Sequence, residues 1–329
     1  MTGGETSKGF VRTVRGDIEP GEMGVTYAHE HLIIDGGRPV ELSPDFLLDD
    51  VDRLADELRD AATAGLQTAI DAMPIDCGRN PGKLAELSRR TGVHIVAATG
   101  LHHERFYRPS HWSVGASEDW LADLFVAEIT EGIDERDGGG GSVGRSDYRA
   151  GIVKVAGSEG GPSARDLRIF RAAAAAHART GVPVHTHCEA GTGAIEQIRT
   201  LVDGGVPAGR ISLSHVDKVV DRAYHRELFA TGAFAVYDQA FRWGDRENGT
   251  LQLLDWAIAD GHAGQVMLGM DAARQGYYRA FGGSPGLPFL LGEFRPVMHA
   301  RGIGTDIRRR FFVDNPARAF AFASAEVVR

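Results

Sequence analysis

Two histidines one residue apart are the first sign of chemistry in this chain: His29-Glu30-His31, inside the apolar run Val25-Thr26-Tyr27-Ala28-His29-Glu30-His31-Leu32-Ile33-Ile34. Such a run reads as a buried strand, and side chains on a strand alternate faces, so both imidazoles point the same way. Two imidazoles a strand period apart can share one metal ion; two packed core histidines are the alternative. Later β-rich runs end in similar residues. Lys154 lies in Gly151-Ile152-Val153-Lys154-Val155-Ala156-Gly157, His185 and His187 in Val184-His185-Thr186-His187-Cys188-Glu189, and His215 in Leu213-Ser214-His215-Val216-Asp217. Asp271 closes Leu268-Gly269-Met270-Asp271. A lysine inside an apolar strand is costly unless it is neutralised or paired. Histidine and aspartate at the ends of several strands match a metal site better than packing.

The elements that must position these residues follow a regular alternation. Apolar runs at 25–34, 66–73, 94–100, 151–157, 182–188, 211–216, 234–238 and 266–271 are separated by helical patterns, for example at 49–64, 80–91, 117–131, 164–180, 191–203, 221–231 and 251–260. Eight strands, each followed by a helix, predict an α/β protein of the (β/α)8 TIM-barrel class, one domain over 10–329 behind a flexible segment 1–9. Active sites in such barrels lie at the C-terminal ends of the strands, where the ionisable residues stand. Residues 10–18 are expected to form a small hairpin closing the barrel floor. Asp314-Asn315-Pro316 reads as the capped start of a final helix. The stretch 137–147, with four consecutive glycines at 138–141, is expected to be a mobile surface loop and lacks the Lys-Ser/Thr ending of a phosphate-binding loop. The stretch 272–291 is expected to lie over the barrel mouth as a lid or pocket wall, with plain loop packing as the alternative.

Composition narrows the function classes. Of 329 residues, 43% are hydrophobic and 25% charged, as in an ordinary globular protein. A net charge of -9 argues against a nucleic-acid surface but leaves room for a basic pocket around one small anion. Two cysteines, Cys77 and Cys188, make neither a disulfide framework nor a thiolate zinc cluster. The first nine residues lack a signal-peptide pattern, and no apolar run is long enough to span a membrane. The expectation is a cytoplasmic protein acting on a small molecule, with no nucleic-acid or membrane partner.

The ordered set of motifs resembles the phosphotriesterase family of the amidohydrolase superfamily, including its lactonases. The His-x-His of the first strand, Lys154, Thr186-His187, Ser214-His215, Asp271 and Asn315-Pro316 carry the resemblance along nearly the whole chain. It implies a centre of two divalent metal ions, most often Zn2+, with Mn2+, Co2+ or Fe2+ as alternatives. His29, His31 and Asp271 would hold the more buried ion, and His187 and His215 the more exposed one. Lys154 would bridge them as a carbamate, since an ammonium has no lone pair for a metal while a carbamate offers two anionic oxygens. A shared hydroxide would complete the bridge. His185 and His187 share a strand face; the family pattern puts the ligand at His187 and leaves His185 a layer deeper. Cys188 then faces the helices.

The implied reaction is metal-assisted hydrolysis of an ester, above all the opening of a sugar or phosphorylated sugar lactone, with Asp271 as general base. Organophosphate or other carboxylester hydrolysis on the same centre is the alternative, and a non-catalytic binding protein a weaker one. True phosphotriesterases tend to carry an Asp-His pair after the seventh strand. Here the pair is Asp238-Gln239, and glutamine cannot relay a proton, which argues against organophosphates as native substrates. Lys218, Arg242, Arg274 and Arg279 follow the later strands and suit a phosphate or carboxylate, unless they are ordinary solvated charges. The phosphofuranose lactonases of the family are similar at these positions, including an Asp-x-x-Arg like Asp271 to Arg274. His102, His103 and Glu104 are candidate substrate contacts, with rim solvation as an equal alternative for all three, and Tyr237 is a further expected contact. The remaining histidines, at 94, 111, 177, 225, 262 and 299, read as incidental. A homodimer is expected by resemblance alone.

Overall fold

In the computed structural model, which describes residues 9–135, 144–244 and 247–323, a short antiparallel hairpin precedes the main sheet. Its strands are β1 (Val11–Thr13) and β2 (Gly16–Ile18). Then come β3 (Thr26–Glu30), β4 (Thr68–Asp71), β5 (His94–Val96), β6 (Ala98–Gly100) and β7 (Ile152–Gly157). After them follow β8 (Val184–Cys188), β9 (Ile211–Ser214), β10 (Phe234–Tyr237) and β11 (Val266–Leu268). β5 and β6 are one strand interrupted at Ala97, so among the described residues eight parallel strands run in the order β3, β4, β5–β6, β7, β8, β9, β10, β11. The ring closes where the backbone N–H groups of Met270 and Asp271 donate to the His29 carbonyl, at 3.3 and 2.9 Å. Gly269 makes that approach possible, because a Cβ there would stand 2.8 Å from the His29 nitrogen.

Strand alternation sorts the side chains. Ala28, Ile70, Val96, Ile152, Phe234 and Met267 point inward and meet in one buried cluster inside the barrel. Val153, Val155, Val184 and Leu213 point outward against the helices. The hairpin closes the floor: Val11 joins the inner cluster together with Phe320. This inner plug fills the bottom of the barrel and leaves the opposite rim to the polar residues.

Eleven α-helical segments are described, and the longer ones cover the strands. α1 (Gly37–Leu42) lies in the loop after β3. α2 (Val51–Thr63), α3 (Pro81–Thr91), α4 (Glu118–Thr130) and α5 (Ala164–Thr180) start at Asp50, Asn80, Ser117 and Ser163, whose side chains accept from first-turn N–H groups. α6 (Ala194–Asp203) begins three residues later than its sequence pattern, because Gly191 and Gly193 have positive φ and belong to the preceding turn. α7 (Arg222–Ala230) and α8 (Gly249–Ala259) start at Asp221 and Asn248. α9 (Arg295–Ala300), α10 (Thr305–Arg309) and α11 (Asn315–Ala319) complete the chain.

The expected cap at Asp314 is corrected. Asp314 has helical dihedrals, φ -71 and ψ -39, and its side chain pairs with Arg309 at 3.2 Å. A π-turn over Arg310–Asp314 makes α10 and α11 continuous, and its wider spacing accommodates the missing N–H of Pro316. Of the glycine-rich stretch, residues 136–143 lie outside the described residues, as do residues 1–8 of the expected N-terminal segment; the flanks Asp134 and Arg145 pair antiparallel. The stretch after β11 forms a wall of the mouth and not a loose flap: Tyr278 is fully buried and donates to the carbonyls of Ala272 and His31. Among the described residues no helix is long and apolar enough to cross a membrane.

Candidate metal centre

His29 points into the barrel from β3, and His31 follows just beyond the strand end. Their Nε2 atoms are 3.3 Å apart. Asp271 brings Oδ1 to 3.3 Å from His31 Nε2 and 3.7 Å from His29 Nε2. The ligand atoms of these three residues all lie within 4.8 Å of one another, as do those of His29, His215 and Asp238. Asp271 reaches this place through a left-handed backbone, φ 49, which is uncommon for a residue with a side chain. Its neighbours hold it there. Glu30 Oε1 accepts from the Met270 N–H at 2.8 Å, and Arg242 donates to the carbonyls of Met270 and Asp271 at 2.8 and 2.6 Å. Glu30, the middle residue of the His-x-His motif, thus ties the first strand to the last.

Facing this trio across the barrel are Lys154, His187 and His215. Lys154 is fully buried on the inward face of β7, and its Nζ donates to Ser214 Oγ at 3.4 Å. The rings of His187 and His215 are 4.4 Å apart between centroids, and those of His29 and His215 4.9 Å. His215 is also left-handed, φ 69, and is fixed by Asp238, which takes its Nδ1 at 2.9 Å and its backbone N–H at 3.2 Å. His185 sits deeper, with Nδ1 2.8 Å from Ser212 Oγ and Nε2 3.2 Å from His29 Nδ1. Its ring approaches Phe320 of the floor, 6.1 Å between centroids.

The electrostatics suit metal ligation. Burial pushes the pKa values of His29 and His215 well below the usual imidazole value, and that of His187 to about 3, so their lone pairs are not lost to protons. Burial also pushes the Lys154 amine down to about 7. For Asp271, burial works to raise the pKa, but His215, Arg242 and His31 outweigh it and hold the carboxyl well below its usual range. His31 Nδ1 is buried with no hydrogen-bond partner among the described residues. Two inward imidazole nitrogens this close, beside a carboxylate and a poised amine, fit a cation shared among nitrogen and oxygen donors such as Zn2+, Mn2+, Co2+ or Fe2+. Cys188 faces the helices, and Cys77, which lines the cavity over the site, has its Sγ donating to the Tyr107 hydroxyl at 3.4 Å.

A cavity of about 320 Å3 opens over these residues, with His31, His187, His215 and Asp271 on its floor. Its walls include Phe46, Phe106 and Tyr277 on the apolar side and His102, Gln239 and four cationic residues on the polar side. The cations differ in their commitments. Arg105 pairs with Glu189 at 3.0 Å, Arg242 with Asp271 at 3.2 Å, and Arg274 lies over Phe46 with Asp45 at 3.6 Å. The exposed Lys218 makes no hydrogen bond or ion pair through its side chain among the described residues. A larger cleft of about 640 Å3 lies alongside, but it contains none of the converging histidines, so size does not identify the site.

Two expected contacts are corrected. Tyr237 is fully buried on the outward face of β10, with its hydroxyl 2.9 Å from His225 Nδ1. The alternation that turns Phe234 and Val236 inward turns Tyr237 towards the helices. Arg279 stands outside the cavity and pairs with Glu293 at 2.5 Å. His103 and Glu104 do not line it either. His177 and His225 are buried and hydrogen-bonded, not surface histidines: His177 Nδ1 is 2.7 Å from the Val182 carbonyl. The sequence reading missed Glu30, Glu189 and Asp238 as supports and Phe46 and Arg105 as walls. Glu189 carried a usable signal, since it lies just past a strand end two residues after a candidate ligand, and Asp238 a weaker one, since it lies just past a strand end.

Residues 9–320 match the model of the phosphotriesterase family. A phospho-furanose lactonase of Mycoplasmopsis synoviae (strain 53) is 30% identical over 324 residues, which cover 95% of this chain and 92% of that protein. Among solved structures, an amidohydrolase from Mycoplasma synoviae superposes with a TM-score of 0.93 at 30% identity, covering 96% of this chain and 93% of that one. A lactonase from Listeria monocytogenes superposes with a TM-score of 0.88 at 30% identity, covering 96% and 100%.

Proposed function

Because this chain belongs to the phosphotriesterase family, we propose that it hydrolyses the ring ester of a phosphorylated furanose lactone at a centre of two divalent metal ions. The observation that carries this reading is the convergence of His29, His31 and Asp271 with Lys154, His187 and His215 beneath one small cavity walled by cations. His29, His31 and Asp271 would hold one ion and His187 and His215 the other, with zinc the first candidate for this nitrogen and oxygen donor set. Two such ions, when bound, lower the pKa of a shared water from 15.7 towards about 7 and polarise the ester carbonyl.

Lys154 would join the two positions as a carbamate. Its amine, with a pKa of about 7, has a substantial neutral fraction at neutral pH. That nitrogen lone pair adds to carbon dioxide, a proton leaves, and the product is an anion with two oxygen donors. Asp271 is the group that accepts the proton of the attacking water and returns it to the leaving ring oxygen. Its orientation is set by Arg242, whose guanidinium is spent on the Asp238, Met270 and Asp271 carbonyls and so serves the carboxylate more than the substrate. Lys218 presents an uncommitted ammonium to the cavity, and Arg274 lines the same cavity as a second donor for a phosphate. Phe46, Phe106 and Tyr277 keep the sugar side of the cavity poor in water.

A panel of sugar lactones, with and without phosphate, tests the reading by acid release from the metal-loaded protein. Turnover of a phosphorylated furanose lactone is expected. Rapid organophosphate hydrolysis with no lactone opening would overturn it. Gln239 in place of an imidazole beside Asp238 favours the lactone, since the amide donates to Asp238 Oδ1 at 2.6 Å but cannot carry a proton.

A further inference from the structure

We infer that Glu189 is a positioning residue: it selects which nitrogen of His187 is offered to the more exposed metal position. The inference rests on the centre proposed above and concerns a residue outside its ligand set. Glu189 begins a tight turn directly after β8, and its Oε2 lies 2.7 Å from His187 Nε2. Its other oxygen, Oε1, accepts from the Arg105 guanidinium at 3.0 Å. The turn is not free to move. Ala190 is left-handed, φ 52, and a Cβ on Gly191 would stand 2.8 Å from the His215 carbonyl, so the chain here packs closely on the end of the next strand.

A neutral imidazole carries one N–H and one lone pair, and the partner of one nitrogen determines the role of the other. A carboxylate accepts only, so a carboxylate at Nε2 keeps the proton there and leaves Nδ1 with the lone pair. The same division occurs once more in the site. His215 gives Nδ1 to the Asp238 carboxylate at 2.9 Å. In each case one nitrogen is committed to a fixed support and the second is left for the centre. The Glu189 support differs in being partly exposed: its side chain is 22% exposed, against 0% for Asp238, and its partner Arg105 lines the cavity wall. Arg105 therefore holds the carboxylate in register without burying it.

The opposite arrangement gives the opposite sign. If Nε2 were the nitrogen that binds metal, Glu189 would compete with the ion, and its removal would tighten binding. The test is a metal titration, independent of turnover. Metal-free wild type, Glu189→Ala and Glu189→Gln are titrated with Zn2+ against a chromophoric chelator, and Co2+ loading is followed by its visible spectrum. Wild type is expected to take two ions per chain. Glu189→Ala should keep the tighter ion unchanged and lose about 10- to 100-fold in affinity for the weaker one, the usual scale for removing such a support. Glu189→Gln should recover part of that loss, because the amide oxygen still accepts from Nε2–H. The Co2+ spectrum of Glu189→Ala should change for the second equivalent only.

Equal or tighter binding of the second ion in Glu189→Ala overturns the inference while leaving the two-metal centre standing. Should that variant fail to fold, the same titration of Glu189→Met, which fills the space without an acceptor, decides: unchanged or tighter affinity for the second ion refutes it. A well-folded wild type that takes up no ion sinks the centre and the inference together.

Discussion

Replacing Lys154 with methionine should stabilise the metal-free protein while abolishing its activity. The amine is fully buried, and burial moves its pKa from the ordinary 10.5 to about 7. At 1.36 kcal/mol per tenfold, that displacement corresponds to about 5 kcal/mol of disfavoured charge in the folded state. The direction with pH follows. The unfolded chain keeps the proton up to its ordinary value, whereas the folded chain gives it up above about 7. Between those limits the unfolded state binds more protons, so wild-type stability rises with pH. Methionine has nearly the same length and no charge, so Lys154→Met should be more stable than wild type by several kcal/mol at pH 6.5. The gap should shrink to about 1 kcal/mol by pH 9.5, from the same conversion. Urea unfolding of chelator-treated samples at both pH values measures it. A gap that is absent at pH 6.5, or equal at the two values, would refute the view of Lys154 as a destabilising group kept for its chemistry. The same variant, loaded with Zn2+, should show no lactone turnover.

Three further outcomes follow from particular contacts. Asp271→Asn should retain much of its metal and lose at least about 100-fold in kcat, the scale of a general base; near wild-type turnover would remove that role. Lys218→Ala, and to a smaller extent Arg274→Ala, should raise KM for a phosphorylated lactone and leave its unphosphorylated analogue unaffected; an equal effect on both would exclude phosphate recognition. Arg79→Ala should destabilise the fold by about 3–5 kcal/mol, because it leaves Glu128 buried without the two hydrogen bonds of 2.7 and 2.8 Å it now accepts. Thermal or urea unfolding checks it, and a loss under about 1 kcal/mol would show that Glu128 is readily neutralised or hydrated.

The barrel was legible because each strand is a short buried run bounded by turn residues, and a parallel sheet covered on both faces leaves little else for such runs to be. Lys154 and His187 were legible because strand alternation holds where they stand. That parity ends with the strand, and the errors begin there. Tyr237 is one position too early to face inward, whereas Asp238, the next residue, turns in and takes His215. His215 and Asp271 reach the centre through left-handed backbones that no periodicity announces. Supports such as Glu30 act on backbone N–H groups more than two hundred residues away, as in its bond to Met270. Phe46 and Arg105 come from loops after different strands, and their meeting in one wall depends on loop packing, not on any local pattern. The continuous helix through Asp314 was hidden for the opposite reason: an Asp before Asn-Pro carries the signature of a cap, but the π-turn lets the helix run through it.

The proposed centre has six residues from five separate strands enclosing a pair of ions joined through Lys154. Anomalous diffraction at the zinc edge, from crystals grown with Zn2+ and bicarbonate, addresses it without any assumption about substrate. Two peaks per chain are predicted, one beside His29, His31 and Asp271 and one beside His187 and His215, with added density on Lys154 Nζ reaching both. A map with no ordered zinc at these side chains, and a bare amine at Lys154, would rule out the two-metal centre.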